Sequence, residues 1–178
     1  MLGCPTQQAS SRYARSKRKS HKRNSSMSKI RLAEPKDLQV LVLGGARMHQ
    51  LTRFKAQPYN AQKVAQSFAD LMNAGAASKY LFLVAENSQN QIVGALTGLV
   101  EQQIFSDAWT ASVMHYDVLP EARMGGYGVR LLKAFEQWAK NRRVIEITLG
   151  VNSGVGTQGV GVFIQKMGYS KVGENYVK

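Results

Sequence analysis

Cysteine is almost absent from this chain of 178 residues, which contains Cys4 alone. A single cysteine excludes an intramolecular disulfide and a multi-cysteine metal site, so we expect a reducing compartment, the cytoplasm, and no metal. Long hydrophobic runs are also missing: no run approaches the roughly 18–20 apolar residues that span a bilayer, and we expect no membrane partner. A hydrophobic fraction of 44% is typical of one globular domain.

Acidic residues are scarce, with 11 Asp and Glu against 24 Lys and Arg and a net charge of +13. Seven of the basic residues lie in residues 1–27, which contain no acidic residue, few apolar residues and many serines. This composition predicts disorder. Three explanations stay open for the segment: an arm for nucleic acid or another anionic partner, a targeting peptide, or a non-native extension upstream of Met27. Residues 28–178 are then the domain.

The apolar pattern predicts an α/β protein of the α+β type, with elements in the order βααβββαβαβ. Two predicted hairpins make the first part of the sheet antiparallel, and the later strand–helix–strand units predict parallel pairing. We expect Gly44 and Gly45 to weaken or end the first helix and Asn60 to cap the second. The predicted strands cover residues 28–33, 79–86, 91–105, 109–119, 144–151 and 169–177, and the later helices cover 129–140 and 157–168.

A glycine-rich segment, "PEARMGGYGVRLLKAF" at residues 120–135, precedes the third predicted helix. The first amides of a helix are unpaired and lie at the positive end of its dipole, and glycines there let a phosphate approach the backbone. A tight turn with close packing is the structural alternative. The segment lacks the lysine of a Walker A loop. Residues 154–159 match G-x-G-x-x-G, but only one predicted strand follows, too few for a dinucleotide-binding unit.

The segment resembles motif A of the GNAT superfamily, the acetyl-CoA-dependent N-acetyltransferases, whose pattern is R/Q-x-x-G-x-G/A. Arg123, Gly126 and Gly128 match its fixed positions, and "FIQKMGY" at residues 163–169 is similar to the family's last helix end. The resemblance covers residues 28–178. It implies a GNAT-like, mostly antiparallel sheet with helices on both faces. It also implies acetyl-CoA as cosubstrate and direct attack of a primary amine, on a small molecule or protein, at the thioester.

The resemblance also implies which residues bind coenzyme A. The backbone at the end of the fourth predicted strand, Asp117, Val118 and Leu119, is expected to bind the pantetheine arm. The backbone amides of the glycine turn are expected to bind the diphosphate: Arg123, Met124, Gly125, Gly126, Tyr127, Gly128 and Val129. Asn152 is the preferred side-chain contact, whereas Thr157 is expected to be a helix N-cap.

The expected base and acid depart from the family pattern. Ser112 stands where some members have a catalytic glutamate, so Glu146, or Glu101, is the remaining carboxylate candidate, with His115 as a further base. Strand alternation predicts that His115 shares a face with Val113 and Asp117. Ile164 stands where the family usually has its acid tyrosine, so Tyr116 or Tyr176 is expected to replace it. The predicted catalytic residues are therefore Glu146, Tyr116 and Ser112.

The acceptor and the assembly stay open. Residues 48–60 lie where the family forms the acceptor wall, so Arg53, Phe54 and Tyr59 are candidate contacts. Three alternative functions remain: a non-catalytic module that binds coenzyme A, an acetylating toxin directed at tRNA, and a nucleic-acid-binding protein acting through the basic tail. The self-association expected of this chain is a homodimer.

Overall fold

The computed structural model describes residues 28–74 and 78–178. The predicted disordered tail, residues 1–27, lies outside this range. The described elements are β1 (Lys29–Leu32), α1 (Leu38–His49), α2 (Ala61–Asn73), β2 (Tyr80–Glu86), β3 (Ile92–Gln102), β4 (Trp109–Val118), α3 (Tyr127–Asn141), β5 (Glu146–Leu149) and α4 (Thr157–Lys166). Short 3-10 turns, Pro35–Asp37 and Pro120–Gly125, precede α1 and α3.

The five strands form one mixed sheet in the order β1-β2-β3-β4-β5. The first three pairings are antiparallel, and β4 pairs with β5 in parallel. A parallel neighbour requires a crossover connection, which α3 supplies. The predicted mixed, mostly antiparallel sheet is therefore confirmed.

Helices cover both faces of the sheet, as predicted. On one face, which we call the α3 face, Leu131, Leu132 and Phe135 of α3 are fully buried against β2, β3 and β4. On the other face, α1 and α2 bury a second cluster, in which the rings of Phe68 and Phe82 lie edge to face with centroids 5.0 Å apart. In the described ranges no helix has both the length and the apolar character needed to cross a membrane.

The prediction that Gly44 and Gly45 weaken or end the first helix is wrong, because α1 runs to His49. The reason is a distant contact. The Tyr59 hydroxyl donates a hydrogen bond of 2.9 Å to the carbonyl of Val42, and a β-carbon on Gly45 would lie 2.7 Å from the Tyr59 oxygen. Gly45 therefore makes room for a tyrosine that ties the following loop to the helix. By contrast, Asn60 caps α2 as predicted, accepting from the Lys63 amide at 2.9 Å.

The predicted last strand, residues 169–177, is also not formed. Its apolar side chains face solvent: Val172 is 94% exposed and Tyr176 is 87% exposed. Local polar contacts replace a strand ladder, because Glu174 accepts from both Lys171 and the Tyr176 hydroxyl. The N-cap of α4 is Gly156, with φ of 53°, and not Thr157.

A buried ion network ties β1 to β2 and to the turn before α1. The Arg31 guanidinium donates to both carboxylate oxygens of Asp37, at 2.6 and 2.9 Å, and to Glu86 at 2.7 Å. Asp37 also accepts from the Glu34 amide at 2.8 Å. The hydrogen bonds from Arg31 hold the pKa of the Asp37 carboxyl below its ordinary value. The network fixes the first strand of the sheet.

Candidate functional site

The strands β4 and β5 diverge near the middle of β4. Their pairing runs from Thr110–Glu146 to Val113–Leu149 and then stops, whereas β4 continues to Val118. Beyond Val113, β4 therefore pairs only with β3, and its other edge is open. The Leu119 amide is turned toward β3, where it donates to the Val93 carbonyl at 2.9 Å. Because peptide groups alternate along a strand, those of Val118 face the open edge.

A β-bulge at Met114 lies at the divergence point. His115 pairs with Thr97 and Val113 pairs with Gly98, so Met114 is an extra residue in β4. The extra residue shifts the alternation of side chains by one position. Tyr116 and Val118 consequently join Val113 on the α3 face, and His115 and Asp117 lie with Ser112 on the opposite face. The prediction that His115 shares a face with Val113 is therefore wrong.

The glycine turn connects the open end of β4 to α3. Gly126 is the N-cap of α3 and has a left-handed backbone, with φ of 70°. No side chain caps the helix start, so the amides of residues 127–129 have no partner within the helix. A β-carbon on Gly126 would meet no atom within 4 Å. The backbone beside the uncapped amides is therefore open at Gly126, as the approach of an anionic ligand requires.

The other two motif glycines serve packing. A β-carbon on Gly125 would collide with the ring of Tyr127, and one on Gly128 would lie 2.7 Å from the Tyr116 hydroxyl oxygen. The prediction that the glycines expose backbone therefore fits Gly126, whereas Gly125 and Gly128 make room for two tyrosines.

Two arginines brace the turn. Arg123 donates through Nε to the Val118 carbonyl at 3.3 Å, which joins the turn to the end of β4. Arg47 of α1 forms a two-point contact with the Glu121 carboxylate at 2.7 and 3.0 Å. The Met124 side chain is fully exposed. The chain thus brings the open edge of β4 and residues 123–129 together.

A groove of about 480 Å³ runs along the other side of the turn, lined among others by Asn87, Gln91, Leu119 and Tyr127. It lies toward the β2–β3 connection. The open edge of β4 lies on the β5 side, so this groove is distinct from the gap between the diverging strands.

Tyr116 points from β4 toward the start of α3. Its hydroxyl makes no hydrogen bond with any described residue, and burial raises the pKa of the phenol well above its ordinary value. The phenol therefore keeps its proton at neutral pH and is a free donor. Ile164 of α4 is buried at 8% exposure, so a hydrophobic side chain packs at the family's acid position.

The predicted Glu146 and Ser112 lie on the face opposite α3, at different distances from the divergence. Ser112 is in register with Thr148, and the two hydroxyl oxygens are 2.9 Å apart. Glu146 is in register with Thr110, three residue pairs before the last pair, so its backbone lies about 10 Å from the divergence. Glu101 pairs with Thr110 from β3. All these strand positions share one polar face.

His115 and Asp117 form a hydrogen-bonded pair on the same face. His115 Nε2 lies 2.6 Å from Asp117 Oδ1. Partial burial lowers the pKa of His115, but the hydrogen bond and the charge of Asp117 outweigh it, so the pKa is raised above its ordinary value. Asp117 was predicted only as a backbone contact. Its spacing of two residues from His115 on one strand was a sequence signal for this pair.

Two loops meet at the far side of the gap. Arg53, in the loop after α1, donates through Nε to the Asn152 carbonyl at 2.7 Å and through its amide to Ser153 at 2.8 Å. The Arg53 guanidinium also stacks over the Phe54 ring at 4.2 Å. The Asn152 side-chain oxygen accepts from Asn175 at 2.7 Å. Tyr59 turns away toward α1, so Arg53 and Phe54 are the residues of the predicted acceptor wall that reach this junction.

Comparison with known proteins agrees with this geometry. Residues 46–169 match the acetyltransferase (GNAT) family. This match spans more than half of the chain, so the chain belongs to the GNAT family of acetyltransferases. No curated protein sequence matches it.

Solved structures share the fold at low sequence identity. A transcriptional regulator from Bacillus halodurans C-125 aligns with TM-score 0.69 and 20% identity, covering 85% of this chain and 98% of that one. Glucosamine-6-phosphate N-acetyltransferase from Arabidopsis thaliana aligns with TM-score 0.65 and 17% identity, covering 85% and 97%. The aminoglycoside 6'-N-acetyltransferase AAC(6')-Ih from Acinetobacter baumannii aligns with TM-score 0.64 and 19% identity, covering 85% and 97%. These likenesses establish the fold alone.

Proposed function

We propose that the protein is an acetyl-CoA-dependent N-acetyltransferase in which a primary amine attacks the thioester directly. One observation carries the proposal: the uncapped start of α3 at Gly126 lies beside the edge of β4 that β5 leaves unpaired. The helix start offers amides to a diphosphate, and the strand edge offers N–H and C=O groups to the amides of a pantetheine arm. Both halves of coenzyme A thus have partners of the right chemistry.

The residues proposed to bind the cosubstrate follow from these contacts. Of the amides expected at residues 123–129, those of residues 127–129 at the uncapped start of α3 are the ones proposed to bind the diphosphate, and Val118 is the strand residue whose peptide faces the open edge. Leu119 lies beside Val118, but its own main chain is already bonded: its amide donates to the Val93 carbonyl, and its carbonyl accepts from the Ala122 amide at 2.8 Å. Asn152 contributes its side-chain amide nitrogen, since its oxygen accepts from Asn175. Bound acetyl-CoA supplies the activated carbonyl, and this chain orients it.

The charge of the sheet indicates what kind of acceptor fits. The strands β3, β4 and β5 contain no Lys or Arg, whereas Glu101, Asp117 and Glu146 lie on the face opposite α3. Carboxylates on that face attract a protonated amine. The named acetyltransferases of similar fold act on amino sugars or aminoglycosides, which carry such amines. We therefore propose a cationic amine acceptor, on a small molecule or a protein.

Calorimetry and a transfer assay test this proposal together. Coenzyme A should bind with a measurable heat, and acetyl-CoA should release free thiol faster than background with at least one amine. The amine panel contains glucosamine 6-phosphate, kanamycin, spermidine and a lysine peptide. Binding without transfer to any amine would favour the non-catalytic module. No heat with coenzyme A at millimolar concentration would refute the proposal outright.

Tyr116 is proposed to donate the proton that the departing thiolate takes up. Tyr116→Phe keeps the ring and removes the donor, so we expect kcat to fall about 10- to 100-fold, with the Kd of coenzyme A unchanged. Steady-state kinetics and calorimetry measure the two quantities. Tyr176→Phe is the comparison, because Tyr176 is the other candidate and is exposed. Should Tyr176→Phe cause the loss instead, or should Tyr116→Phe weaken only coenzyme A binding, Tyr116 is not the acid.

A further inference from the structure

The pair of His115 and Asp117 lies where an acceptor amine would approach the gap. Both residues follow the bulge at Met114, on the part of β4 whose outer edge is open. Their side chains are on the face opposite α3, and the His115 side chain is 45% exposed whereas that of Asp117 is 16% exposed. The imidazole is thus accessible, and the carboxylate behind it is largely covered.

We propose that His115 is the base that takes the proton from the acceptor ammonium, and that Asp117 is the residue that positions it. This inference rests on the proposed N-acetyltransferase function and names the base for it.

The contact between the two side chains fixes which imidazole nitrogen is free. A carboxylate accepts but does not donate, so Nε2 of neutral His115 carries the hydrogen that bonds to Asp117 Oδ1. The lone pair is then on Nδ1, which has no hydrogen-bond partner among the described residues. Asp117 also stabilises the imidazolium that forms when Nδ1 accepts a proton. The pair has the orientation that a general base requires.

The other candidates for the base, the Glu146 carboxylate and the Ser112 hydroxyl, are less well placed than His115. Glu146 lies at the first β4–β5 residue pair, before the divergence, and the Ser112 oxygen is already within 2.9 Å of Thr148 Oγ1. His115 lies two residues beyond Val113, at the divergence itself.

Few other charged groups surround the imidazole. From its own strand, Asp117 alone contacts it. From β3 and β5, the charged groups on this face are Glu101 and Glu146. From α1 and the loop that follows, Arg47 is paired with Glu121, His49 packs against Tyr59, and Arg53 is bonded to the Asn152 and Ser153 carbonyls. Burial lowers the pKa of His115, and Asp117 is the charged group that raises it.

The proton balance of the reaction is complete with these groups. His115 Nδ1 takes one proton from the ammonium and passes it to solvent. The neutral nitrogen forms the C–N bond, the C–S bond breaks, and Tyr116 protonates the sulfur. The nitrogen then loses its second proton, which returns through solvent to the Tyr116 oxygen. The net products are the amide, the free thiol and one proton.

The direction in which kcat/KM changes with pH follows from the protonation of His115. His115 acts as a base only when neutral, so kcat/KM should fall as the pH drops through the pKa of His115. Removing the charge of Asp117 removes the interaction that raises this pKa, so the acid limb should move to lower pH in Asp117→Asn.

The experiment compares the full-length protein with His115→Gln and Asp117→Asn. For His115→Gln we expect kcat/KM to fall about 100- to 1000-fold, with the Kd of coenzyme A unchanged by calorimetry. For Asp117→Asn we expect a smaller loss and the shifted acid limb. NMR titration of the imidazole signals, assigned by the signal missing in His115→Gln, should report a lower His115 pKa in Asp117→Asn without any turnover. His49→Gln is the matched histidine control.

Each contrary result has a distinct meaning. If His115→Gln keeps more than half of the wild-type kcat/KM, or if the acid limb stays in place in Asp117→Asn, this inference is wrong and the acetyltransferase proposal stands. If Glu146→Gln removes the acid limb instead, the base is Glu146. A wild-type protein that binds coenzyme A but acetylates no amine overturns both proposals at once.

Discussion

Gly126→Asp is expected to weaken coenzyme A binding at least about 100-fold. Gly126 has φ of 70°, and a side chain there would extend into open space beside the uncapped amides of α3. An added negative charge about 4 Å from a phosphate charge costs on the order of 4 kcal/mol near a protein surface. Every 1.4 kcal/mol corresponds to a tenfold loss of affinity, and calorimetry measures it directly.

A matched variant separates an effect at the turn from general destabilisation. Gly168 follows α4, has φ of 96°, and also has open space around its α-carbon. Gly168→Asp therefore introduces the same charge and a comparable strain away from the turn, and coenzyme A should bind to it with wild-type affinity. Equal losses in both variants would mean that general destabilisation, not the turn, is responsible. Unchanged affinity in Gly126→Asp would remove the turn from the binding site.

Asp37→Ala is expected to lower the free energy of unfolding by about 3 kcal/mol. Asp37 is 4% exposed and accepts two hydrogen bonds from Arg31 and one from the Glu34 amide. Without Asp37, the guanidinium keeps Glu86 and the Leu32 carbonyl but loses two hydrogen bonds, and the Glu34 amide loses its acceptor. Urea denaturation should show a lower midpoint with an unchanged slope.

The pH dependence of this loss follows from the lowered pKa of Asp37. A carboxyl with a lowered folded-state pKa contributes stability above its unfolded-state pKa, and loses that contribution as the pH falls through the folded-state value. The difference between wild type and Asp37→Ala should therefore be largest near neutral pH and shrink in acid. Glu174→Ala, which breaks an exposed pair with Lys171, is the control and should leave the midpoint unchanged. An equally small effect at Asp37 would contradict the buried-network argument.

Local signals explain what was predictable from the sequence. The glycine turn and α3 are specified by residues within one short segment, and Asn60 caps α2 by accepting from the amide of Lys63, only three residues away. The strand order follows from alternating apolar residues and short connections. These features need no knowledge of distant contacts, and the family motif falls among them.

Long-range contacts explain what was not predictable. The helix α1 passes through Gly44 and Gly45 because Tyr59, fourteen residues after Gly45, packs on it. The last predicted strand does not pair with β5: Glu174 bonds to Lys171 and Tyr176, and Asn175 donates to the Asn152 side chain. Nothing in the residues around Met114 marks a bulge, so the alternation of β4 was predicted in the wrong phase. The face of the sheet that carries the proposed base was therefore the part least accessible to sequence reasoning.

Because of the bulge, the number of residues that precede two adjacent positions of β4 decides which face of the sheet each side chain lies on. His115 and Tyr116 are neighbours in the chain, yet one faces the proposed acceptor and the other faces α3, because one surplus residue precedes them. Deleting the extra residue would exchange the faces of the two side chains. His115 would then face α3 and Tyr116 would lie on the opposite face, although neither residue has been substituted. A one-residue insertion or deletion in β4 would thus exchange the positions of the proposed proton acceptor and the proposed proton donor. A substitution at either position does not do this.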